Sequence, residues 1–398
     1  MVIAPAVAIV TLVLLAATLT IARSASAQSA DTPTCVTGTA VPDTTNTGLI
    51  SDCEVLLASR DTLAGDATLN WSADRSIEEW EGIGVGGTPA RVTKLALQER
   101  GLTGVMPPEL GSLANLETLN LGGNQLAGTI PTELGSLSNL TWLSLDGNQL
   151  TGVIPAEFGG LSNLSVLWLG VNQLTGTIPA ELGRLSNLTY LYLSDNQLTG
   201  TIPAELGNMS NLEELWFNGN QLTGEIPAEL GSLVNLTSLW LSGNRLTGAI
   251  PAEFGNLTNL QILDVVSNQL SGEIPPELGA LSDLTTLWLG HNQLTGEIPT
   301  ELSSLTSLVQ LVLTQNELEG EIPPELGNLP RLMKLALSFN GFTGEIPSEL
   351  SGLSNLDVLS ISHNELTGQI PPGLATLPRL GVLHLDGNEL TGEIPVEL

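Results

Sequence analysis

Histidine is the side chain in this sequence best suited to acid–base or metal chemistry, and the chain has three, His291, His363 and His384. His291 and His363 each stand directly before an asparagine of a regular series, at a variable and solvated position. No serine or cysteine nucleophile accompanies the histidines in a recognisable motif, and no His-x-x-x-His or Cys-x-x-Cys ligand spacing occurs. The histidines therefore predict neither a catalytic centre nor a metal site.

One glycine-rich stretch matches a nucleotide-binding loop in its letters alone. Gly82, Gly84 and Gly87 spell Gly-x-Gly-x-x-Gly, the pattern that lets a backbone approach a dinucleotide pyrophosphate. That pattern needs a strand before it and a helix after it, whereas here a tryptophan-containing loop precedes it and Thr88-Pro89 follows. We interpret the stretch as a loop and predict no cofactor.

Carboxylates are abundant, with 42 acidic against 11 basic residues and a formal charge of −31, which makes nucleic acid an unfavourable partner. Eleven glutamates recur in Pro-x-Glu-Leu or its Pro-x-Glu-Phe variant at intervals of 24 residues, from Glu109 to Glu349, and predict a solvated ridge. A second acidic column precedes Ile-Pro and consists of Glu225, Glu273, Glu297, Glu321, Glu345 and Glu393. We interpret this column as a solubility feature, and the alternative is a weak site for calcium or a basic partner.

These positions recur because the chain repeats itself every 24 residues from about residue 92 onward. The unit reads Leu-x-x-Leu-x-Leu-x-x-Asn-x-Leu-x-Gly-x-Ile-Pro-x-Glu-Leu-Gly, and its leucines are predicted to share one continuous core. Twelve asparagines mark the register, namely Asn124, Asn148, Asn172, Asn196, Asn220, Asn244, Asn268, Asn292, Asn316, Asn340, Asn364 and Asn388.

Each part of the unit predicts a local structure. Leu-x-x-Leu-x-Leu alternates apolar and variable residues, the pattern of a strand with one buried face, so stacked copies predict a parallel sheet. The asparagine is expected to satisfy backbone groups of the turn, and Pro-x-Glu-Leu-Gly allows at most a short helical turn. Wide outer connections bend the stack, which makes the strand side concave. The predicted fold is an α/β repeat solenoid, a curved horseshoe of about 12–13 repeats with a parallel concave β-sheet.

The unit resembles the plant-type extracellular leucine-rich repeat, which is marked by Leu-x-Gly-x-Ile-Pro and is found in receptor-like kinase ectodomains and polygalacturonase inhibitors. The preceding stretch SDCEVLLASRDTLAG resembles the amino-terminal cap of that family, with a capping box of Ser51 and Glu54 and a stop at Gly65. Val85 stands where that family usually has a cysteine, so this cap is expected to hold by packing. The resemblance implies a receptor-like or inhibitor-like binding protein without catalysis.

Four regions are predicted along the chain: a secretory signal peptide at 1–27, a Thr/Ser/Pro-rich tail at 28–50, the amino-terminal cap at 51–91 and the repeats at 92–398. The apolar run of the first region is also long enough to stay as an uncleaved membrane anchor, which is the alternative. Both outcomes place the repeats outside the cytoplasm, secreted or at the cell surface. Cys35 and Cys53 are the two cysteines of the chain, and in an oxidising compartment they predict one disulfide.

Aromatic side chains occupy two variable strand positions, four and six residues before the asparagine, that both face the concave side. Five of the seven tryptophans and both tyrosines fall there, whereas four of the five phenylalanines replace core leucines. We call this row the aromatic ladder; it consists of Trp142, Trp168, Tyr190, Tyr192, Trp216, Trp240 and Trp288. Glu214 and Asp264 occupy the same positions and complete the predicted ligand-binding residues.

From these residues we predict a non-catalytic extracellular module that binds a protein, peptide or neutral glycan through the aromatic ladder, because contiguous exposed aromatic patches mark interaction sites. Acidic residues beside the rings favour a basic peptide. One alternative is that the rings pack across strands only to stabilise the sheet. A second alternative is a structural or adhesive cell-surface repeat protein without a discrete ligand. Membrane contact is expected only if the amino-terminal segment stays as an anchor.

Overall fold

The computed structural model describes Cys35 and residues 39–396, so the predicted signal peptide and residues 28–34 and 36–38 of the predicted tail lie outside the described residues. The described chain contains one α-helix, Thr47–Ala64, followed by short strands and 3-10 turns in regular alternation. Within these residues no helix combines the length and the apolar character needed to cross a bilayer.

The cap helix begins earlier than the sequence indicated. Asn46 is its N-cap, and the Asn46 side chain accepts a hydrogen bond from the Leu49 amide at 3.1 Å. The predicted capping box of Ser51 and Glu54 is therefore wrong, because both residues lie inside a helix whose first turn Asn46 already caps. Gly65 ends the helix as predicted, with a φ of 62° that glycine adopts without a steric penalty.

A disulfide and a pair of stacked indoles consolidate the cap. The predicted bond between Cys35 and Cys53 is present, and both cysteines are buried. Trp71 and Trp80 stack with ring centroids 5.9 Å apart, and both are buried. Because each indole N–H donates to a backbone carbonyl, these two tryptophans satisfy their polar atoms while they pack.

A buried ion pair joins the cap helix to the first repeat. Asp52 is 1% exposed and accepts hydrogen bonds from Arg91 Nε at 2.8 Å and from Arg91 Nη2 at 2.7 Å. The Val92 amide donates a third hydrogen bond to the Asp52 carboxylate at 2.9 Å. Since the carboxylate has three donors, its charge is compensated where the helix meets the first strand of the repeats.

A sheet of 14 strands extends through the described repeats in chain order. Its first two strands, Ile83–Gly86 and Arg91–Ala96, are antiparallel, and all later neighbours are parallel and in register. The other strands are Thr118–Asn120, Trp142–Ser144, Val166–Trp168, Tyr190–Tyr192, Glu214–Trp216, Ser238–Trp240, Ile262–Asp264, Thr286–Trp288, Gln310–Val312, Lys334–Ala336, Val358–Ser360 and Val382–His384. We call the solvent side of this sheet the concave face.

Short 3-10 turns line the side of the solenoid opposite the strands, one per repeat, where proline precedes the turn and fixes its entry. They are Pro108–Ser112, Thr132–Ser136, Ala156–Gly160, Ala180–Arg184, Ala204–Asn208, Ala228–Ser232, Ala252–Asn256, Pro276–Ala280, Thr300–Ser304, Pro324–Asn328, Ser348–Gly352 and Pro372–Thr376, and the cap adds Ile77–Glu79. The sequence prediction of a short helical turn at this place is confirmed.

Smaller parallel sheets form where the chain leaves the asparagine. Two are pairs, Ala127–Thr129 with Gln149–Thr151 and Thr223–Glu225 with Arg245–Thr247. A third has four strands, Ser271–Gly272, Gln293–Gly296, Glu317–Glu321 and Gly341–Thr343. Leucines between these layers form one continuous buried core, which Phe158, Phe217, Phe254 and Phe342 enter in place of leucine as predicted.

The twelve repeat asparagines connect each repeat to the one before it. At Asn196, the side-chain Oδ1 accepts from the Leu174 amide at 3.0 Å. Its Nδ2 donates to the Leu169 carbonyl at 3.0 Å and to the Leu193 carbonyl at 3.2 Å. The same offsets recur at all twelve positions, so each side chain satisfies buried backbone groups of two successive repeats.

We predict that Asn196→Ala lowers the free energy of unfolding by about 2–4 kcal/mol, because three buried backbone groups lose their partner. Chemical denaturation monitored by circular dichroism measures the change. The matched control is Gln197→Ala at the exposed neighbouring residue, for which we expect a change within about 0.5 kcal/mol. Equal effects of the two substitutions would contradict the role assigned to the asparagine.

Candidate ligand-binding face

Strand register brings the predicted aromatic residues into two rows on the concave face. In one row Trp168 is paired with Tyr192, Tyr192 with Trp216, and Trp216 with Trp240. In the other row Trp142 is paired with Val166, which in turn is paired with Tyr190. Because the parallel strands are in register, equivalent positions of successive repeats become spatial neighbours. The rows follow the positions that the repeat pattern indicated.

The rings contact one another from Trp142 to Trp240. Trp142 meets Trp168 edge to face, with ring centroids 4.9 Å apart. Trp168 and Tyr192 are parallel within 3° at 5.3 Å, and Tyr192 and Trp216 lie at 4.4 Å with 20° between their planes. Trp216 and Trp240 are tilted at 5.7 Å. The middle of the aromatic ladder is therefore a three-ring stack between two less parallel contacts.

The aromatic ladder is less exposed than the sequence indicated. All seven rings are half-buried, because each ring covers part of its neighbour. The five indole Nε1 atoms, of Trp142, Trp168, Trp216, Trp240 and Trp288, are buried and have no hydrogen-bond partner among the described residues. The concave face thus presents a packed row of rings whose indole donors lie below the surface.

Asp264 does not lie on the surface of the concave face, in contrast to the sequence interpretation. It falls between Trp240 and Trp288, whose centroids approach to 6.0 Å across the intervening strand, and it is 4% exposed. Ser242 Oγ donates to its Oδ2 at 2.6 Å and the Val266 amide donates to its Oδ1 at 3.0 Å. Burial raises the pKa of the Asp264 carboxyl, although both hydrogen bonds act to lower it.

Both tyrosine hydroxyls donate to glutamates of the next repeat. Tyr190 Oη donates to Glu213 Oε2 at 3.2 Å, and Tyr192 Oη donates to Glu214 Oε2. The Glu213 hydrogen bond is the main cause that raises the pKa of Tyr190 above its usual value. Burial, followed by the Glu214 hydrogen bond, raises the pKa of Tyr192. The Glu214 carboxylate is therefore already engaged as the hydrogen-bond acceptor of the Tyr192 hydroxyl.

A small pocket of about 210 Å³ opens beside the three-ring stack. The rings of Trp168, Tyr192 and Trp216 line it together with Asp146 and Val171. Asp146 is one of the acidic residues that the sequence placed beside the rings, but neither it nor Val171 was among the predicted ligand-binding residues. The available signal at Val171 was a β-branched residue in a position that several other repeats fill with glycine.

The other side chains singled out for chemistry do not assemble into a site. In the part of the chain that the structure describes, no group of three or more His, Cys, Asp or Glu is placed to hold a metal ion. His363 stacks on Phe339 at 4.3 Å, His291 is exposed, and His384 Nδ1 lies 3.4 Å from Ser360 Oγ. The three histidines therefore do not form a common site.

A larger groove of about 1200 Å³ lies away from the aromatic ladder, along the Ile-Pro segments between Thr129 and Pro227. Its walls repeat the same short run of Thr or Val, Ile, Pro, Ala and Glu in successive repeats. The Ile-Pro part of these walls recurs in every repeat that has the register asparagine, whereas the residue before Ile is glutamate in most later repeats.

Comparison with known proteins relates the chain to repeat proteins. A family model described as a leucine-rich repeat region matches residues 105–247 and 220–345, and a second model described as leucine rich repeat matches residues 330–390. A search of curated proteins found no match.

Solved structures of receptor ectodomains are similar to this chain. A TDR receptor is 40% identical with a TM-score of 0.72, over 74% of this chain and 51% of the receptor. The PEPR1-AtPEP1 structure is 34% identical with a TM-score of 0.76, over 87% of this chain and 53% of that one. The Arabidopsis receptor kinase HAESA, in complex with the peptide hormone IDA and the co-receptor SERK1, is 30% identical with a TM-score of 0.64, over 87% and 71%. This chain spans about half the length of the first two.

We predict that Asp264→Asn raises the free energy of unfolding at pH 7. Because burial raises the folded-state pKa above the ordinary 3.8, the folded chain binds the Asp264 proton more tightly than the unfolded chain. Stability from this group is present below pH 3.8 and is lost as the pH rises through the raised pKa. The gain from Asp264→Asn should therefore vanish below pH 3.8, as denaturation at several pH values would show.

The control for this substitution is Asp195→Asn, which removes the same charge at an exposed position. Its left-handed backbone, with a φ of 52°, is one that asparagine tolerates. We expect no pH-dependent gain from the control. A gain at Asp195 equal to that at Asp264 would indicate a general charge effect and would contradict the burial argument.

We predict that the tyrosinate absorbance of the folded chain rises at higher pH than that of the chain unfolded in denaturant, where tyrosine titrates near about 10. The chain has two tyrosines, both in the aromatic ladder and both with raised pKa values, so the signal reports this site alone. Glu214→Gln should shift the Tyr192 part of the curve to lower pH. The control Glu297→Gln, in the second acidic column before Ile-Pro, should leave the curve unchanged. Coincident curves for folded and unfolded chains would refute the two hydrogen bonds.

Proposed function

The chain belongs to the leucine-rich repeat family, and on that premise we propose that it is a non-catalytic extracellular module that binds an extended peptide along the aromatic ladder. The observation that carries the proposal is the unbroken row of ring contacts from Trp142 to Trp240 on the solvent side of the sheet. From Trp168 to Trp288 the row crosses five strand intervals, about 24 Å, which matches about seven residues of extended peptide.

The presence of tryptophan instead of phenylalanine on the concave face supports a ligand-binding role for the aromatic ladder. A buried indole N–H without an acceptor lowers stability, so rings that served packing alone would be better supplied by phenylalanine. The chain uses phenylalanine at four core positions and tryptophan at five concave positions. Large rings with a polar atom are the residues that dominate interaction surfaces, because they supply contact area at low entropic cost.

Charge near the aromatic ladder favours a basic peptide. Glu213, Glu214 and Asp146 border the aromatic ladder, and the whole chain has a formal charge of −31. Such a surface attracts cations and repels polyanions, and aromatic rings add cation–π contacts. The HAESA complex with a peptide hormone, on a similar fold, supports a peptide over a neutral glycan.

The second candidate is a structural or adhesive repeat protein. The observation that favours it is the mutual packing of the rings, since cross-strand aromatic pairs stabilise a sheet by up to about 1 kcal/mol each. On this alternative the rings are a product of sheet stability and no discrete ligand exists. The two candidates can be distinguished by removing the indoles of Trp216 and Trp240. The binding proposal predicts weaker ligand capture, and the structural alternative predicts no change in capture.

We predict that the double substitution Trp216→Ala and Trp240→Ala weakens peptide capture by about a thousandfold, because buried interface tryptophans contribute about 2 kcal/mol or more each, or about 4 kcal/mol together. The secreted chain would be tested on an array that holds both peptides and neutral glycans. Affinity for the strongest captured probe would then be measured by calorimetry.

The matched control is Val153→Ala with Val234→Ala, two exposed apolar residues away from the aromatic ladder. This control should leave capture unchanged. Circular dichroism and thermal midpoints would verify that both variants fold. Unchanged capture by the folded tryptophan variant would refute the proposed function and favour the structural alternative, and capture of glycans instead of peptides would refute the ligand class.

A further inference from the structure

Gly170 contributes a residue without a side chain to the lining of the pocket beside the three-ring stack. Gly170 lies between Asp146 and Ser194 of the neighbouring repeats, and all three line the pocket. A Cβ placed on Gly170 would lie 3.1 Å from Ser194 Oγ and 3.2 Å from the Ser194 carbonyl, so any other residue would crowd this floor. At about 210 Å³ the pocket is below the size of sites for whole small molecules and suits one side chain.

The lining of the pocket combines one carboxylate with aromatic rings. Asp146 Oδ1 accepts a hydrogen bond from Ser144 Oγ, which fixes the carboxylate at the edge of the pocket. Trp168, Tyr192 and Trp216 supply the apolar side, and none of the residues that line the pocket is basic. A planar, weakly hydrated cation suits such a lining, because guanidinium pairs with a carboxylate and stacks against rings.

Val171 forms the remaining wall at a steric cost. Its φ is 52°, in the left-handed region that β-branched residues rarely adopt. The left-handed backbone itself belongs to the repeat, because every equivalent residue before a repeat asparagine has a positive φ. Valine is the one β-branched residue at this position; the others are Gly123, Gly147, Asp195, Gly219, Gly243, Ser267, His291, Gln315, Phe339, His363 and Gly387. The Val171 side chain is 57% exposed, so burial in the core does not compensate for the strain. A strained residue at a surface pocket points to a role in binding.

We propose that this pocket takes the guanidinium group of an arginine side chain, with Asp146 as its counter-ion and the three rings and Val171 as its walls. The inference rests on the proposed function, since it assigns one residue of the peptide held along the aromatic ladder. It also fixes one point of contact for that peptide, because the arginine side chain would sit beside Trp168, Tyr192 and Trp216.

The test uses two probes of the same shape that differ in charge, N-acetyl-L-arginine amide and N-acetyl-L-citrulline amide. Both would be titrated into the full secreted chain while the indole N–H resonances are followed by NMR. We expect the arginine probe to bind at least about tenfold more tightly than the citrulline probe. Asp146→Asn should abolish this preference, since asparagine still accepts from Ser144 but has no charge. Glu297→Gln, with the same loss of charge in the second acidic column before Ile-Pro, should retain it.

Val171→Gly provides a second variant, and we expect it to fold because glycine occupies the equivalent position in other repeats. It removes one wall and relieves the strained backbone, so we expect weaker arginine binding with an unchanged or higher thermal midpoint. Equal affinity for the two probes, or a preference that survives Asp146→Asn, would overturn the arginine pocket. The proposed function would stand in that case if array peptides still lose affinity in the Trp216 and Trp240 variant, so the two proposals fail separately.

Discussion

Each repeat asparagine accepts a hydrogen bond from an amide 22 residues earlier and donates to carbonyls 27 and 3 residues earlier, as Asn196 shows. These bonds cross the boundary between repeats, so they fix how far one unit is rotated and shifted against the next. Because the strands are then in register, side chains of equivalent positions meet in rows. The contacts of the aromatic ladder, the burial of Asp264 and the pocket over Gly170 all depend on this register.

The parts of the structure that the sequence predicted are those set by periodicity. The strand positions, the direction of the leucines, the short outer turns and the alignment of Trp168 with Tyr192 follow from a strict interval of 24 residues. Periodicity also separated phenylalanine in the core from tryptophan and tyrosine on the concave face. The disulfide followed from two cysteines in a chain with a secretory signal pattern. In these cases a strict repeat interval, or a pair of cysteines with no other partner, was enough to predict the position of the residues.

The parts that the sequence did not predict depend on side-chain direction between neighbours. Asp264 occupies a variable concave position, yet Trp240 and Trp288 close over it, because an aspartate is short and both flanking indoles are long. The exposure of the rings was likewise set by ring-to-ring contacts that no single repeat encodes. In the cap, which has no period, the helix began at Asn46 instead of Ser51, since two residue types that cap helices well compete within a few positions.

Ring packing in this geometry would assist the ligand binding that we propose. Rings that already contact their neighbours have lost most of their rotamer freedom in the unbound chain, so a ligand pays less to order them. The carboxylates around the stack are likewise directed, since Glu213 and Glu214 accept from tyrosine hydroxyls and Asp264 is buried. Asp146 remains as the carboxylate that lines the pocket, beside a strained valine and above a glycine floor. Under the proposed function, charge selection on this face is therefore concentrated at the pocket beside Trp168, Tyr192 and Trp216, while the rest of the aromatic ladder contributes contact area and stiffness.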